Sequence, residues 1–303
     1  MTRRSDDEAF GETAMTESLR TVDEVLTAHR TLEGAGFEVR RPFPRPGRDL
    51  IDPFLLLDEM GPVDLGPGQA KGAPDHPHRG FETVTYVLAG AIEHADSAGN
   101  RGSIGPGDVQ WMTAGAGVVH SEEPAAAIRQ LGGRLHGFQL WVNLPRADKW
   151  TPPRYQEIST VDIPEVALDG GVARVVAGTF AGATGPVRTH SPVSYLHLTL
   201  QPGAQAGVPI DPDHTAMAYV FGGSGTFPDP AVDGQLVVWH RHSGDAVAIG
   251  ADDGEAPLEV LVLAGAPLGE PVARHGPFVM STRAEIIEAV EDYQAGRLGR
   301  IAR

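Results

Sequence analysis

His76-Pro-His78 and His120-Ser-Glu122 each place two good metal ligands one residue apart. Alternate side chains of a β-strand project from the same face, so each pair points one way. On neighbouring strands the two pairs aim three imidazoles and one carboxylate at a single point. That donor set suits a divalent transition metal of the iron, manganese, nickel or zinc class. An octahedral ion held by four protein groups keeps positions for a chelating substrate, or for substrate and O2. Parity selects Glu122 over its neighbour, because Val118, His120 and Glu122 share a face while Val119, Ser121 and Glu123 point away. If the strand that starts near His76 stays regular, His76, His78, Gly80, Glu82, Val84 and Tyr86 also share a face, which turns Glu82 inward.

Short strands are expected to position these groups. The chain of 303 residues has 38 Gly and 25 Pro, and its recurring Pro-Gly, Gly-Asp and Asp-Gly steps suit strands joined by turns. From Gly80 one rhythm repeats: Thr83–Leu88, Ala91–Ala95, a turn over Ser97–Gly102, then Pro106-Gly-Asp and Val109–Met112. A second block from about Val193 to Ala266 echoes it. Ala218-Tyr-Val-Phe-Gly answers Thr85-Tyr-Val-Leu-Ala, and Gly244-Asp-Ala-Val-Ala-Ile answers Gly107-Asp-Val-Gln-Trp-Met. The pattern implies an all-β chain with a duplicated barrel or jelly roll. The expected divisions are a disordered tail over 1–20, an N-terminal barrel with the metal site over 21–150, a linker and the start of the second barrel over 151–190, a metal-free C-terminal barrel over 191–280, and a helix and tail over 281–303. Thr282-x-x-Glu285 reads as a capping box, with Gly296 at the expected stop.

The second block lacks the site. Counting back from Tyr219 as the counterpart of Tyr86, His78 maps to Asp211 and His76 to Pro209. His240-Arg-His242 has no second pair to join it and reads as exposed alternating positions. His94, His136, His190, His197 and His275 read as hydrogen-bonded structural histidines. Trp111, Trp141 and Phe81 are expected to wall the first barrel. Thr113-Ala-Gly-Ala-Gly117 lacks the spacing of a phosphate-binding loop.

Composition narrows the function. Zero cysteines exclude disulfides, iron–sulfur ligation, thiol catalysis and a thiolate zinc site. A formal charge of −16 argues against general nucleic-acid binding, which needs a basic face. No apolar run approaches the roughly 18 residues of a membrane span. The first residues have no apolar segment behind their basic pair, so a cytoplasmic protein is expected.

The run His76-x-His78-x-x-x-Glu82, with Pro106 and Gly117-x-x-His120 after it, resembles the cupin superfamily, where Glu82 would take the carboxylate-ligand position. Longer segments resemble the pirin family more specifically. They are Asp52-Pro-Phe-Leu-Leu-Leu-Asp-Glu, Asp75-His-Pro-His-Arg-Gly-Phe-Glu-Thr-Val-Thr-Tyr, Pro106-Gly-Asp-Val-Gln-Trp-Met-Thr-Ala-Gly and Gly117-Val-Val-His-Ser-Glu. The likeness continues through Gln139-Leu-Trp-Val-Asn-Leu-Pro145 and His275-Gly-Pro-Phe-Val-Met280 to Glu291-Asp-Tyr-Gln-Ala-Gly296.

This resemblance implies two cupin barrels in tandem, with one Fe(2+) in the first held by His76, His78, His120 and Glu122. Mn, Ni, Co or Zn are chemically admissible in its place. Glu82 then becomes an inward carboxylate beside the ligands, and Asp75, Glu82 and Gln139 are candidates to anchor the histidines. The implied activity is like that of quercetin 2,3-dioxygenase. A flavonol chelates the metal through its 3-hydroxyl and 4-carbonyl, Glu122 or Glu82 removes the hydroxyl proton, and O2 opens the central ring with loss of carbon monoxide. The alternative is an iron-dependent regulator that binds protein partners. A sugar-isomerase-type cupin shares the ligand chemistry but not the longer segments.

Overall fold

The computed structural model describes residues 18–302. The expected tail therefore lies largely outside the described residues, and its last three residues are bonded to the protein. Ser18 N–H donates to Asp245 at 2.6 Å, and buried Arg20 donates to the carbonyls of Asp211, Pro212, His214 and Gly244.

The first barrel closes between two sheets. Its strands are β2 (His29–Glu33), β3 (Phe37–Phe43), β4 (Phe54–Leu65), β5 (Ala73–His78), β6 (Phe81–Ala89), β7 (Ile92–Asp96), β8 (Arg101–Ile104), β9 (Val109–Thr113), β10 (Val118–Pro124), β11 (Gly133–Asn143) and β12 (Arg154–Ile158). They follow β1 (Val22–Thr27). One sheet has the order β12-β9-β6-β11-β4-β3-β2, and the facing sheet β5-β10-β7-β8. A short helix, α1 (Ala126–Leu131), links β10 to β11.

The second barrel repeats the plan. Its larger sheet contains Gln235–Trp239, Thr215–Gly222, Leu258–Gly265, Val193–Leu200, Gly171–Ala177 and Glu165–Leu168, and β1 pairs with Gln235–Trp239 at its edge. The span 21–150 thus opens with a strand that completes the other barrel, because Val22 and Val25 pack on that barrel's core.

The large sheets of the two barrels pack face to face. Val84, Tyr86, Trp111, Phe138 and Leu140 of the first share one buried cluster with Tyr195, Met217, Tyr219 and Leu261 of the second. This explains why β6 is buried along nearly its whole length. One of its faces looks into its own barrel and the other into the seam, the condition that favours continuous apolar runs.

After the second barrel the chain returns to the first. Ala273–His275 pairs with Phe278–Met280 as a hairpin, followed by α2 (Arg283–Gln294). The helix starts on the expected box, in which the Thr282 side chain accepts from the Glu285 N–H and the Glu285 side chain accepts from the Thr282 N–H. Ile286 and Ala289 bury against Val119, Phe278 and Met280, which seats the helix behind β10.

Candidate metal centre

β5 and β10 run antiparallel, with His76 opposite His120 and His78 opposite Val118. The three rings converge, with centroids 4.3, 4.7 and 4.9 Å apart. One nitrogen from each lies within 4.8 Å of the other two, and among the described residues these are the one such group that could hold a metal.

Each strand-β5 imidazole is fixed by its far nitrogen. His76 Nδ1 lies 2.7 Å from the Pro74 carbonyl, and His78 Nδ1 lies 3.3 Å from the Pro277 carbonyl. A carbonyl only accepts, so each Nδ1 carries a proton, which leaves Nε2 as the nitrogen a neutral imidazole offers to a metal. Those two Nε2 atoms are 3.1 Å apart. A proton on either nitrogen makes that distance a hydrogen bond, and a shared cation takes the proton's place when both rings are neutral. Nitrogens about 2.1 Å from a metal and at right angles to each other are separated by about 3.0 Å, so the observed spacing fits a shared ion.

Electrostatics point the same way. Burial, then the neighbouring imidazoles, holds His78 and His120 well below the usual histidine pKa. Both are therefore neutral ligands at neutral pH. Fully buried His120 has no hydrogen-bond partner at either ring nitrogen among the described residues. A buried orphan imidazole costs stability, and a metal bond would remove that cost.

Glu122 stands one step along the barrel. The register slips between His120 and Glu122, which places Glu122 opposite Ala73. Its carboxylate lies outside the three-nitrogen group and is clamped, with Thr85 Oγ1 donating to one oxygen at 2.6 Å and Gln139 Nε2 to the other at 2.9 Å. It lines a cavity of about 560 Å³ whose wall mixes Met60, Val87, Ile92 and Leu135 with charged Arg30, Arg40, Glu59 and Lys71, and which the three histidines do not line. That volume lies within the usual range for small-molecule sites.

Residues 36–142 match the Pirin family, and residues 195–299 match the Pirin C-terminal cupin domain. The chain belongs to the pirin family. A pirin-like protein of Solanum lycopersicum is 42% identical over 92% of the chain and 93% of its own length. Pirin of Homo sapiens is 41% identical over 88% of the chain and 90% of its own length. Among solved structures, quercetin 2,3-dioxygenase from Acinetobacter baumannii superposes with a TM-score of 0.88 at 38% identity, covering 94% of this chain and all of that one.

Within this pirin-family frame the sequence expectations divide. His76, His78 and His120 come together, and Glu122 shares their chamber. Glu82 does not. Gly80 has φ +88°, and a Cβ there would collide with the Val279 carbonyl. This left-handed corner breaks the parity count, so Phe81 and Thr85 face the chamber with His78 while Glu82 faces the seam with Val84 and Tyr86. There Thr113 Oγ1 donates to it at 2.7 Å, and burial raises its pKa. Glu82 thus points away from the three histidines. Trp111 also lies in the seam, whereas Phe81 and Trp141 pack on His78 at 5.0 and 5.2 Å.

The histidine anchors are backbone carbonyls, and Gln139 serves Glu122 instead. Thr85 and Pro277 are additions from the structure, and reading Gly80 as a corner points to Thr85. His240 and His242 are exposed beside Asp23 and Asp213 and join no metal group.

Proposed function

We propose that this chain is an iron-dependent dioxygenase that cleaves a flavonol or similar chelating enol with O2. The observation that carries the reading is the pair of anchored Nε2 atoms 3.1 Å apart beside orphaned His120, with Glu122 two residues further along the same strand and lining a cavity of about 560 Å³. The likeness to a quercetin 2,3-dioxygenase at 38% identity supports the reaction class.

His76, His78 and His120 would hold the ion, with Glu122 as the fourth donor. Bound Fe(2+) supplies Lewis acidity that acidifies a chelating hydroxyl, together with the redox partner that oxygen chemistry needs. Glu122 accepts the proton of that hydroxyl at its carboxylate, within the chamber where the enol must bind. Thr85 and Gln139 fix the carboxylate plane. Phe81 and Trp141 cover the His78 ring, and the apolar part of the cavity wall, Met60, Val87, Ile92 and Leu135, seats the aromatic rings.

The test is metal analysis of the purified protein combined with oxygen-electrode assays over a flavonol panel. Turnover should vanish in His76→Ala, and Glu122→Gln should keep the fold while losing most activity. Metal without any oxygen uptake across the panel would overturn the enzyme reading.

A second reading, a metal-dependent regulator that binds protein partners, is favoured by one contact. His78 is anchored by Pro277, in the hairpin that leads to α2 and its exposed Ile287. Metal-dependent capture of a partner without O2 consumption would support it.

A further inference from the structure

The interior of the first barrel carries a continuous polar layer beside the histidines. Across the larger sheet Gln139, Thr85, Gln110 and Glu157 stand in register on β11, β6, β9 and β12. Across the smaller sheet Glu122, His94 and Gly102 do the same on β10, β7 and β8. Directly opposed residues point to the same face of a sheet, so the two rows look at each other through the barrel. They meet at both ends. Thr85 and Gln139 hold Glu122 at one end. At the other, His94 Nε2 lies 2.6 Å from Glu157 Oε1.

That second meeting point is also where the barrel wall is open. β8 and β12 are the outer strands of their sheets, and among the described residues no ladder joins them. Side chains close the gap instead. Tyr155 stacks on His94 with ring centroids 5.6 Å apart and planes 14° from parallel. Gly102 makes room for the contact, since a Cβ there would collide with both His94 Nε2 and Glu157 Oε1. The His94 side chain is 1% exposed and that of Glu157 is 45% exposed. At this seam the His94–Glu157 contact, backed by Tyr155, lies between the barrel interior and solvent.

The layer also holds unpaired polar atoms. Gln110 Nε2 and both ring nitrogens of His94 are buried with no hydrogen-bond partner among the described residues, so His94 Nε2 meets Glu157 as a close polar contact without hydrogen-bond geometry. Groups of this kind are ordinarily served by ordered water when protein offers nothing. The large cavity includes Glu122 and Gln139 in its wall but not Gln110, His94 or Glu157, so the layer leads away from it.

We propose that this layer is a water conduit from Glu122 to solvent at the β8–β12 seam, latched by the His94–Glu157 contact. An organic chelator that fills the large cavity blocks the route by which it came. Water displaced from the chamber then leaves through the seam. This purpose rests on the function proposed above, whereas the conduit itself needs no bound metal.

The chain has no cysteine, so one introduced thiol reports access without background. Gln110→Cys, stripped of metal and checked for fold by circular dichroism, is labelled with methyl methanethiosulfonate. Adding Glu157→Ala should speed labelling at least tenfold, while adding Ile92→Trp, which narrows the large cavity, should leave the rate unchanged. A rate indifferent to Glu157→Ala, or one cut by Ile92→Trp, overturns the conduit. Met112→Cys, one layer nearer the histidines and opposite Tyr155, replaces the reporter if Gln110→Cys does not fold, and the same outcomes decide. Because the measurement uses metal-free protein, its failure leaves the dioxygenase reading standing, and absent turnover leaves the labelling result intact.

Discussion

Three imidazoles packed at 4.3 to 4.9 Å cannot all be charged at once. Burial lowers the pKa of His78 and His120 in the folded chain, while the unfolded chain keeps the ordinary value near 6.5. Below that pH the unfolded state takes up protons that the folded state refuses. The contribution of these groups to stability is therefore present above about pH 6.5 and is lost as pH falls toward the folded values. Denaturant unfolding of metal-free protein should show stability dropping with acid, by up to about 1.4 kcal/mol per pH unit for each histidine. His120→Leu should remove one histidine's share of that slope; an unchanged slope would show that His120 is not held neutral. At the same scale, Gln139 matters only through Glu122. Gln139→Leu should weaken metal binding or turnover about 10- to 100-fold, the usual loss when a ligand's support is removed. Titration calorimetry with Fe(2+) or Ni(2+) checks this.

At the scale of elements, the corner between β5 and β6 decides which carboxylate serves the site. Lys149 pins it: its buried ammonium donates to the carbonyls of Gly80 at 2.7 Å and Val279 at 3.1 Å, and to Asn143 Oδ1 at 2.7 Å. Lys149→Met would leave those three acceptors unpaired, at an expected cost of about 2–4 kcal/mol in chemical denaturation. Burial also brings the amine down to about 8. Between pH 8 and its ordinary value the unfolded chain binds the proton more tightly, so the folded protein gains stability as pH rises there, and Lys149→Met should flatten that rise. The same corner marks the limit of what could be read from the chain. The β10 parity that chose Glu122, the helix box at Thr282 and Glu285, and the histidine pairs all depend on neighbours a few residues apart. Glu82 was misplaced because one left-handed glycine inverts every later position, and the contacts that need such a corner come from Val279 and Lys149, far along the sequence. The carbonyl anchors were equally hidden, since Pro277 reaches His78 only after the whole second barrel has been built.

At the scale of the molecule, the second barrel is the platform on which the first rests. Their shared cluster joins residues from Phe43 to Leu263, and polar contacts cross the same seam. Glu59 of β4, fully buried, accepts from Tyr219 of the second barrel at 2.6 Å and from Arg40 at 2.7 Å, and His136 Nε2 lies 2.9 Å from it. Arg40 in turn reaches Asp233 with two bonds of 2.9 Å. Removing this carboxylate leaves Arg40 only Asp233 as a carboxylate partner and strands the buried Tyr219 hydroxyl. Glu59→Leu should therefore cost about 3–5 kcal/mol, as broken buried pairs do. Since β1 closes the second barrel from a position just ahead of the first, neither barrel can lose its structure while the other keeps its own core and edge. Calorimetry of the intact protein should then give one transition, moved to lower temperature but still single in Glu59→Leu. Two resolved transitions in the parent would show that the barrels stand independently, and the seam would lose its place as the support of the first barrel's larger sheet.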